Sequence, residues 1–176
     1  AENLPAGMTQ LLDALRTPRF GPVILDLPVN IQMSPMQFTG VVPSCKVSAI
    51  PKTGKYDISA LISESRRPLL IFGHGVRLSD SAAEALAFAE KLNMPFVTTW
   101  GALDICGTDH PMRKGTIGVY GDRWANIAVQ NADLLIVVGA RLDTRQTGGN
   151  VAHFSKFSKK LMVDVDSNEI DKLEEK

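Results

Sequence analysis

Four short apolar runs, separated by stretches of helical periodicity, set the strongest limit on how this chain can fold. They are Pro68-Leu-Leu-Ile-Phe72, Pro95-Phe-Val-Thr-Thr99, Asp133-Leu-Leu-Ile-Val-Val138 and Leu161-Met-Val-Asp-Val165. Near-continuous hydrophobicity over five or six residues fits strands buried on both faces. Between the runs lie helix signals. Ile58, Leu61 and Ile62 give one apolar face behind Asp57 as N-cap. An alanine- and leucine-rich stretch reaches Leu92, with Ser79 or Asp80 as cap, and further helices fall near Trp124–Asn131 and Asn168–Glu175. This alternation predicts an α/β fold: a doubly wound, mainly parallel, Rossmann-like sheet with helices on both faces. The stretch Trp100–Asp122 reads as a long loop.

Upstream the pattern is looser. Met8, Leu11, Leu12 and Leu15 place a helix over Ala6–Arg16, broken by Pro18, Gly21 and Pro22. Val23–Leu27 reads as a short buried strand stopped by Pro28. From Val29 to Lys55 periodicity is lost and Pro35, Gly40, Pro43, Pro51 and Gly54 accumulate. A loop that long is uncommon inside a compact domain, so it reads as a linker between two domains. The Ala-Glu-Asn-Leu-Pro start and the charged helical end read as cuts in a longer chain.

Charge and cysteine usage exclude several functions. Lysine plus arginine equals aspartate plus glutamate, 19 each, which leaves no electrostatic footprint for nucleic acid or an anionic membrane. No apolar run approaches the ~20 residues that span a bilayer. Cys45 and Cys106 have no short spacing, and read as free thiols in a reducing, cytoplasmic compartment. His74, His110 and His153 have no metal-ligand partners at motif spacing, so no metal site is expected in this chain. They read as polar loop residues, with His74 set apart by its position.

Ligands of open parallel sheets bind at the carboxyl ends of the strands, and here those ends are rich in glycine and polar groups. Gly73-His74-Gly75 either lets the backbone approach an anion or is only a strand-to-helix turn. Thr98-Thr99 either bonds a ribose or phosphate, or satisfies local backbone groups. Gly139-Ala140-Arg141-Leu142-Asp143-Thr144-Arg145 carries two arginines directly after a fully apolar strand. They either clamp a pyrophosphate or carboxylate, or pair at the surface with Asp143. In Asp164-Val165-Asp166 an acid either takes a ribose hydroxyl or, at Asp166, caps the last helix.

These same residues resemble a known family. Gly21-Pro-Val-Ile-Leu-Asp-Leu-Pro28 resembles the closing strand of the pyrimidine-binding domain of thiamine-diphosphate enzymes. Arg67-Pro-Leu-Leu-Ile-Phe-Gly-His-Gly-Val76 is similar to the opening of their central domain, and Ala89–Thr99 to its second helix and strand. Asn126–Asp143 is similar to the acetolactate synthase version, and Met162-Val-Asp-Val-Asp166 to the last central strand. The resemblance covers nearly the whole chain, in the right order. Three places depart from the acetolactate synthase pattern. Val119-Tyr120-Gly121 stands for Met-His-Gly, Arg141-Leu-Asp-Thr-Arg145 for Arg-Phe-Asp-Asp-Arg, and His74 sits in the first glycine turn.

The resemblance implies a division into residues 1–33, a remnant of the pyrimidine-binding domain; 34–55, a linker; and 56–176, the central domain. It implies FAD in the central domain, without a redox role in the main reaction. The contacts carried over are Gly73, His74, Gly75, Thr98, Thr99, Gly121, Gly139, Ala140, Arg141, Asp143, Arg145, Asp164 and Val165, with Arg145 also near the substrate carboxylate. Thiamine diphosphate and Mg²⁺ are expected in the full-length protein, outside these residues. The activating glutamate and the Gly-Asp-Gly diphosphate motif belong to the other domains, and Gly121-Asp122-Arg123 is not that motif. A chain of this kind is expected to decarboxylate a 2-keto acid and pass on the acyl-anion equivalent, as in branched-chain amino acid biosynthesis. It would work as a homodimer or homotetramer, and these residues alone would be inactive. Two other readings stay open. One is a structural spacer without nucleotide, as in related decarboxylases. The other is a free-standing ADP or NAD sensor, against which the Val23–Leu27 segment argues.

Overall fold

The computed structural model describes residues 4–17, 21–35 and 57–174. The chain divides into two compact units, residues 1–54 and 55–176. In the first, helix α1 spans Leu4–Leu15 and a single turn, α2, spans Val29–Gln32. The expected strand over Val23–Leu27 is absent. Those residues have no regular structure and pair with no strand among the described residues, and Ile24 is 88% exposed. A strand exists only through its ladder, so apolar, β-branched residues without a partner remain coil. The turn α2 was not expected either, because it opens directly after Pro28. The expected linker and Cys45 fall almost wholly outside the described residues.

In the second unit the chain runs α3 (Ser59–Glu64), β1 (Pro68–Phe72), α4 (His74–Leu78), α5 (Ala82–Lys91), β2 (Phe96–Thr98) and a 3-10 turn (Trp100–Ala102). It continues through β3 (Arg113–Thr116), α6 (Arg123–Asn131), β4 (Leu134–Val138), α7 (Thr144–Thr147), β5 (Lys159–Val163) and α8 (Ser167–Glu174). All five strands are parallel, in the order β3-β2-β1-β4-β5. The doubly wound, Rossmann-like α/β fold is thus present.

Side chains alternate between the faces of the sheet. Leu69, Ile71, Val97, Leu135 and Val137 pack with Ala125 and Val129 of α6. Leu70, Phe72, Phe96, Leu134 and Ile136 pack against Val76 of α4, Ala89 of α5, and Ile58, Leu61 and Ile62 of the α3 segment. Each large apolar side chain fully buried in this way contributes about 1.5–3 kcal/mol, which is why the apolar runs become central strands.

Several boundaries differ from the sequence reading. The loop over Trp100–Asp122 contains β3, whose Arg-Lys-Gly-Thr sequence lacks an apolar run because it is an edge strand with only Thr116 buried. The helix expected to end near Leu92 is α5, and a separate short helix, α4, precedes it. Asp80 takes a left-handed φ of 54°, breaking the chain between α4 and α5, and Ser81 occupies the cap position. Ser79 cannot cap α5, because its hydroxyl donates back to the Gly75 carbonyl at 2.8 Å. β5 begins two residues earlier than expected, with Lys159 and Lys160 paired in register to Leu134 and Leu135.

At the amino-terminal edge, Asp133 ties the α3–β1 turn to β4. Its carboxylate accepts the Arg66 and Arg67 amides, each at 2.9 Å, and the Ser65 hydroxyl. Burial pushes this carboxyl up, but the Ser65 and backbone hydrogen bonds outweigh that and hold it at about 2.

Candidate functional site at the carboxyl edge of the sheet

Register places the ends of all five strands on one line. Thr116 pairs with Thr98, Thr98 with Phe72, Phe72 with Val138, and Val138 with Val163. The loops bearing the expected site residues therefore leave from one edge. The order reverses between β1 and β4, the crevice where ligands of open α/β sheets bind. Gly73 and Gly139 lie there.

These glycines are needed first for the chain's own packing. A Cβ on Gly73 would lie 2.2 Å from the Gly139 carbonyl oxygen and 2.5 Å from the Ala140 Cβ. A Cβ on Gly75 would lie 2.7 Å from the Gly139 Cα, and Gly139 itself has a φ of 60°. The amides are used too: Gly73 donates to Val138 at 2.9 Å and Gly75 to Gly139 at 2.8 Å. The helix that follows is only five residues long, too short for its macrodipole to hold an anion by itself. His74 locks the same turn to the next loop. Its Nδ1 is 2.9 Å from the Gly101 carbonyl oxygen, and a Cβ on Gly101 would meet the His74 ring at 2.7 Å.

Thr98 is fully buried and faces the Thr116 hydroxyl at 3.4 Å, turned into the sheet. Thr99 is also buried and donates its amide to Phe72 at 2.9 Å. Gly121 closes the turn after β3, where a Cβ would meet the Thr116 carbonyl at 2.3 Å. Asp122 fastens that turn, its carboxylate accepting the Thr116 amide at 2.8 Å.

Beyond β4 the chain is strained. Leu142 is buried with a φ of 50°, a conformation that bulky side chains rarely adopt. It lies between Arg141 and Asp143. The Asp143 carboxylate caps α7 by accepting the Arg145 amide at 2.9 Å, and its other oxygen is 3.6 Å from Arg141. Arg145 is exposed and forms no ion pair among the described residues. Next to it, Gln146 Oε1 is buried without a hydrogen-bond partner. After β5, Asp164 accepts the Asp166 amide at 3.0 Å, and Asp166 accepts the Asn168 amide at 3.0 Å. Asp166 thus supports the start of α8, while Val165 is exposed.

The sequence reading missed the contacts that join these loops. Trp100, after β2, stacks on Tyr120, after β3, with ring centroids 5.6 Å apart and planes 28° apart. The Val119 amide donates to the Arg145 carbonyl at 2.8 Å. Asn126 of α6 bonds both the amide and the carbonyl of Gly118, each at 3.0 Å. Two aromatics twenty residues apart carry no periodic signal; only their strand-end positions connect them.

The edge fits a nucleotide in part. The exposed Arg145 guanidinium and the orphaned Gln146 oxygen lack partners that a phosphate and a hydroxyl or ring N–H would supply. The Gly73 and Gly75 amides, already bonded, do not offer a phosphate cradle. Among the described residues no group of histidine, cysteine or carboxylate side chains could hold a metal ion. Cys106 is a free, half-buried thiol whose pKa is pushed up by burial. No described helix is long and apolar enough to cross a membrane.

Comparison with known proteins agrees with this architecture. Residues 57–176 match the family described as "Thiamine pyrophosphate enzyme, central domain". The chain is 32% identical over 179 residues to the probable acetolactate synthase large subunit of Methanocaldococcus jannaschii, covering 97% of this chain and 30% of that protein. It is 32% identical to the acetolactate synthase isozyme 1 large subunit of Escherichia coli, covering 99% of this chain and 31% of that one. The chain therefore spans about a third of the length of these relatives. A solved structure of a putative thiamin diphosphate-dependent enzyme from Mycobacterium smegmatis superposes with a TM-score of 0.67 at 24% identity, over 97% of this chain and 33% of that one. At that identity the likeness speaks for the fold alone. Over residues 57–176 this chain belongs to the thiamine pyrophosphate enzyme central-domain family, related to the acetolactate synthase large subunits.

Proposed function

We propose that this chain is the nucleotide-carrying scaffold of a larger thiamine-diphosphate enzyme that decarboxylates a 2-keto acid and transfers the acyl-anion equivalent. In this reading residues 1–33 belong to a preceding domain, 34–55 form a linker and 56–176 the central domain. The enzyme is a cytoplasmic homodimer or homotetramer of the acetolactate synthase kind. The observation that carries the nucleotide reading is the strand-end line from Thr116 to Val163, with an unpaired Arg145 and an orphaned Gln146 oxygen in the α7 segment that follows β4.

FAD would supply a pyrophosphate and two planar rings. Arg145 would hold the phosphates, Gln146 would accept from a hydroxyl or ring N–H, and Asp164 would take a ribose hydroxyl. Arg141 would join once released from Asp143. Thr98 and the Gly73 and Gly75 amides would act as walls rather than ligands, because their polar groups are already engaged. Thiamine diphosphate and Mg²⁺ would bind outside these residues.

A second reading, a structural spacer without nucleotide, is favoured by the same engaged glycine amides and by the Arg141–Asp143 contact. Titration of the full-length protein with FAD, followed by absorbance and fluorescence, separates the two. Saturable binding weakened roughly tenfold or more by Arg145→Ala, the worth of a charge-assisted hydrogen bond, supports the nucleotide site. A full-length protein that ignores FAD supports the spacer.

A further inference from the structure

The amino-terminal edge of the sheet, opposite the candidate site, carries a surface of its own. Register pairs Pro68 of β1 with Leu134 of β4, and Leu134 with Lys159 of β5. Backbone hydrogen bonds continue that line: the Asp133 amide donates to Arg67 at 3.2 Å, and the Lys159 amide to Asp133 at 2.8 Å. Neighbouring strands lie about 4.8 Å apart, so the starts of β1 and β5 are about 10 Å apart. The Lys159 ammonium, 3.1 Å from the Glu64 carboxylate, joins β5 to α3 just before β1. Residues 64–67, residues 155–160 and Asp133 hold five cations against two acids, in a chain whose total charge is balanced. Both acids are engaged, Glu64 by Lys159 and Asp133 by the Ser65 hydroxyl and two amides. Arg66 and Lys156 are exposed and form no ion pair among the described residues.

Beside these cations stands Phe157, 84% exposed, two residues before Lys159. Its turn is firmly held. Ser155 is buried with a φ of 43°, and its hydroxyl donates to the Val129 carbonyl of α6 at 2.6 Å. The Ser155 carbonyl accepts the Ser158 hydroxyl and the Lys160 ammonium, each at 2.9 Å. The turn thus keeps an apolar ring in water, where covering it with a partner is favourable.

We propose that this edge is a docking surface for an acidic protein segment, which seats an apolar side chain on Phe157 and carboxylates on Arg66, Arg67 and Lys156. An extended segment of about four residues spans roughly 13 Å, enough to reach from the start of β5 to that of β1. Charge complementarity steers such a partner, and the aromatic ring anchors it. A nucleic acid gains its affinity from many phosphates neutralised together, more than a patch two strand spacings wide can meet. One phenylalanine with so few charges does not anchor a membrane.

The test is titration of the 176-residue chain with a short polyglutamate peptide carrying one central leucine, followed by amide NMR shifts. Saturable shifts confined to residues around 64–67 and 155–160 are expected, and the matching polylysine peptide should cause none. Phe157→Ala should weaken binding roughly tenfold, as for an aromatic anchor. The double variant Arg66→Glu, Lys156→Glu should weaken it at least as much and flatten its salt dependence. All three side chains are exposed, and unchanged amide shifts elsewhere verify that the variants keep the fold. Arg123→Glu reverses an exposed charge at the carboxyl edge and should leave the affinity unchanged. No saturable shift at low salt, or undiminished affinity in Phe157→Ala or in the double variant, would overturn the proposal. Tighter binding of oligothymidylate or of phosphatidylserine vesicles would overturn the assignment of an acidic protein.

Discussion

A Cβ placed on Gly73 would lie 2.2 Å from the carbonyl oxygen of Gly139, so the ends of β1 and β4 approach as closely as two backbones without side chains allow. This contact sits at the switch point of the sheet, and it dictates glycine whether or not a ligand binds there. Gly73→Ala should force the β4–α7 connection outward. The expected loss is about 1–3 kcal/mol, the usual result of overpacking a tight site. Gly139→Ala adds strain at a φ of 60° and should cost at least as much. Gly149→Ala, with nothing within 4 Å of the new methyl group, is the neutral control. Urea unfolding of the three variants measures the difference; equal midpoints would contradict the contact.

Asp133 should make the fold acid-sensitive. Its carboxyl is held at about 2, below the ordinary value of 3.8. A depressed folded-state pKa stabilises above the unfolded value and is lost as pH falls through the folded one. Stability should therefore decline between about pH 4 and pH 2. The Asp133 contribution is about 1–2 kcal/mol once solvent screening is allowed for. Asp133→Asn should flatten that part of the pH–stability curve. An unchanged slope would show that the Ser65, Arg66 and Arg67 contacts carry no net weight.

Asp143 performs two tasks that substitution can separate. Asparagine keeps an oxygen able to accept the Arg145 amide but removes the charge opposite Arg141. Asp143→Asn should change stability by less than about 0.5 kcal/mol, because an exposed ion pair contributes little. Asp143→Ala also removes the α7 cap and should cost about 1 kcal/mol. Thermal unfolding distinguishes them; a costly Asn variant would place the weight on the Arg141 contact.

The thiamine chemistry should be missing from this chain. Its described residues offer no metal-binding cluster, the sequence holds no Gly-Asp-Gly, and under the proposed function the activating glutamate belongs to another domain. The purified 176-residue chain with thiamine diphosphate, Mg²⁺ and pyruvate should release no CO₂ above a heat-killed control.

Buried apolar runs made β1, β2 and β4 legible from sequence, because a central parallel strand has no polar face to confuse the pattern. β3 was hidden since an edge strand needs no apolar run, and Arg113-Lys114-Gly115-Thr116 resembles a loop. Val23–Leu27 misled for the opposite reason: strand-like residues do not make a strand without a partner. The positions of Gly73, Gly139, Arg141 and Arg145 at the carboxyl edge followed from their place directly after apolar runs read as parallel strands. The inward turn of Thr98, the engaged glycine amides and the Trp100–Tyr120 stack did not, since each depends on distances between loops that no local pattern encodes.

Whether a nucleotide sits on this edge is most directly read by hydrogen exchange of the full-length protein with and without FAD. The account predicts slower exchange in peptides covering 73–77, 118–121, 139–147 and 164–166. No change is expected at the opposite edge around Arg67, Asp133 and Lys159. Exchange unaffected by saturating FAD, or protection confined to that opposite edge, would contradict it.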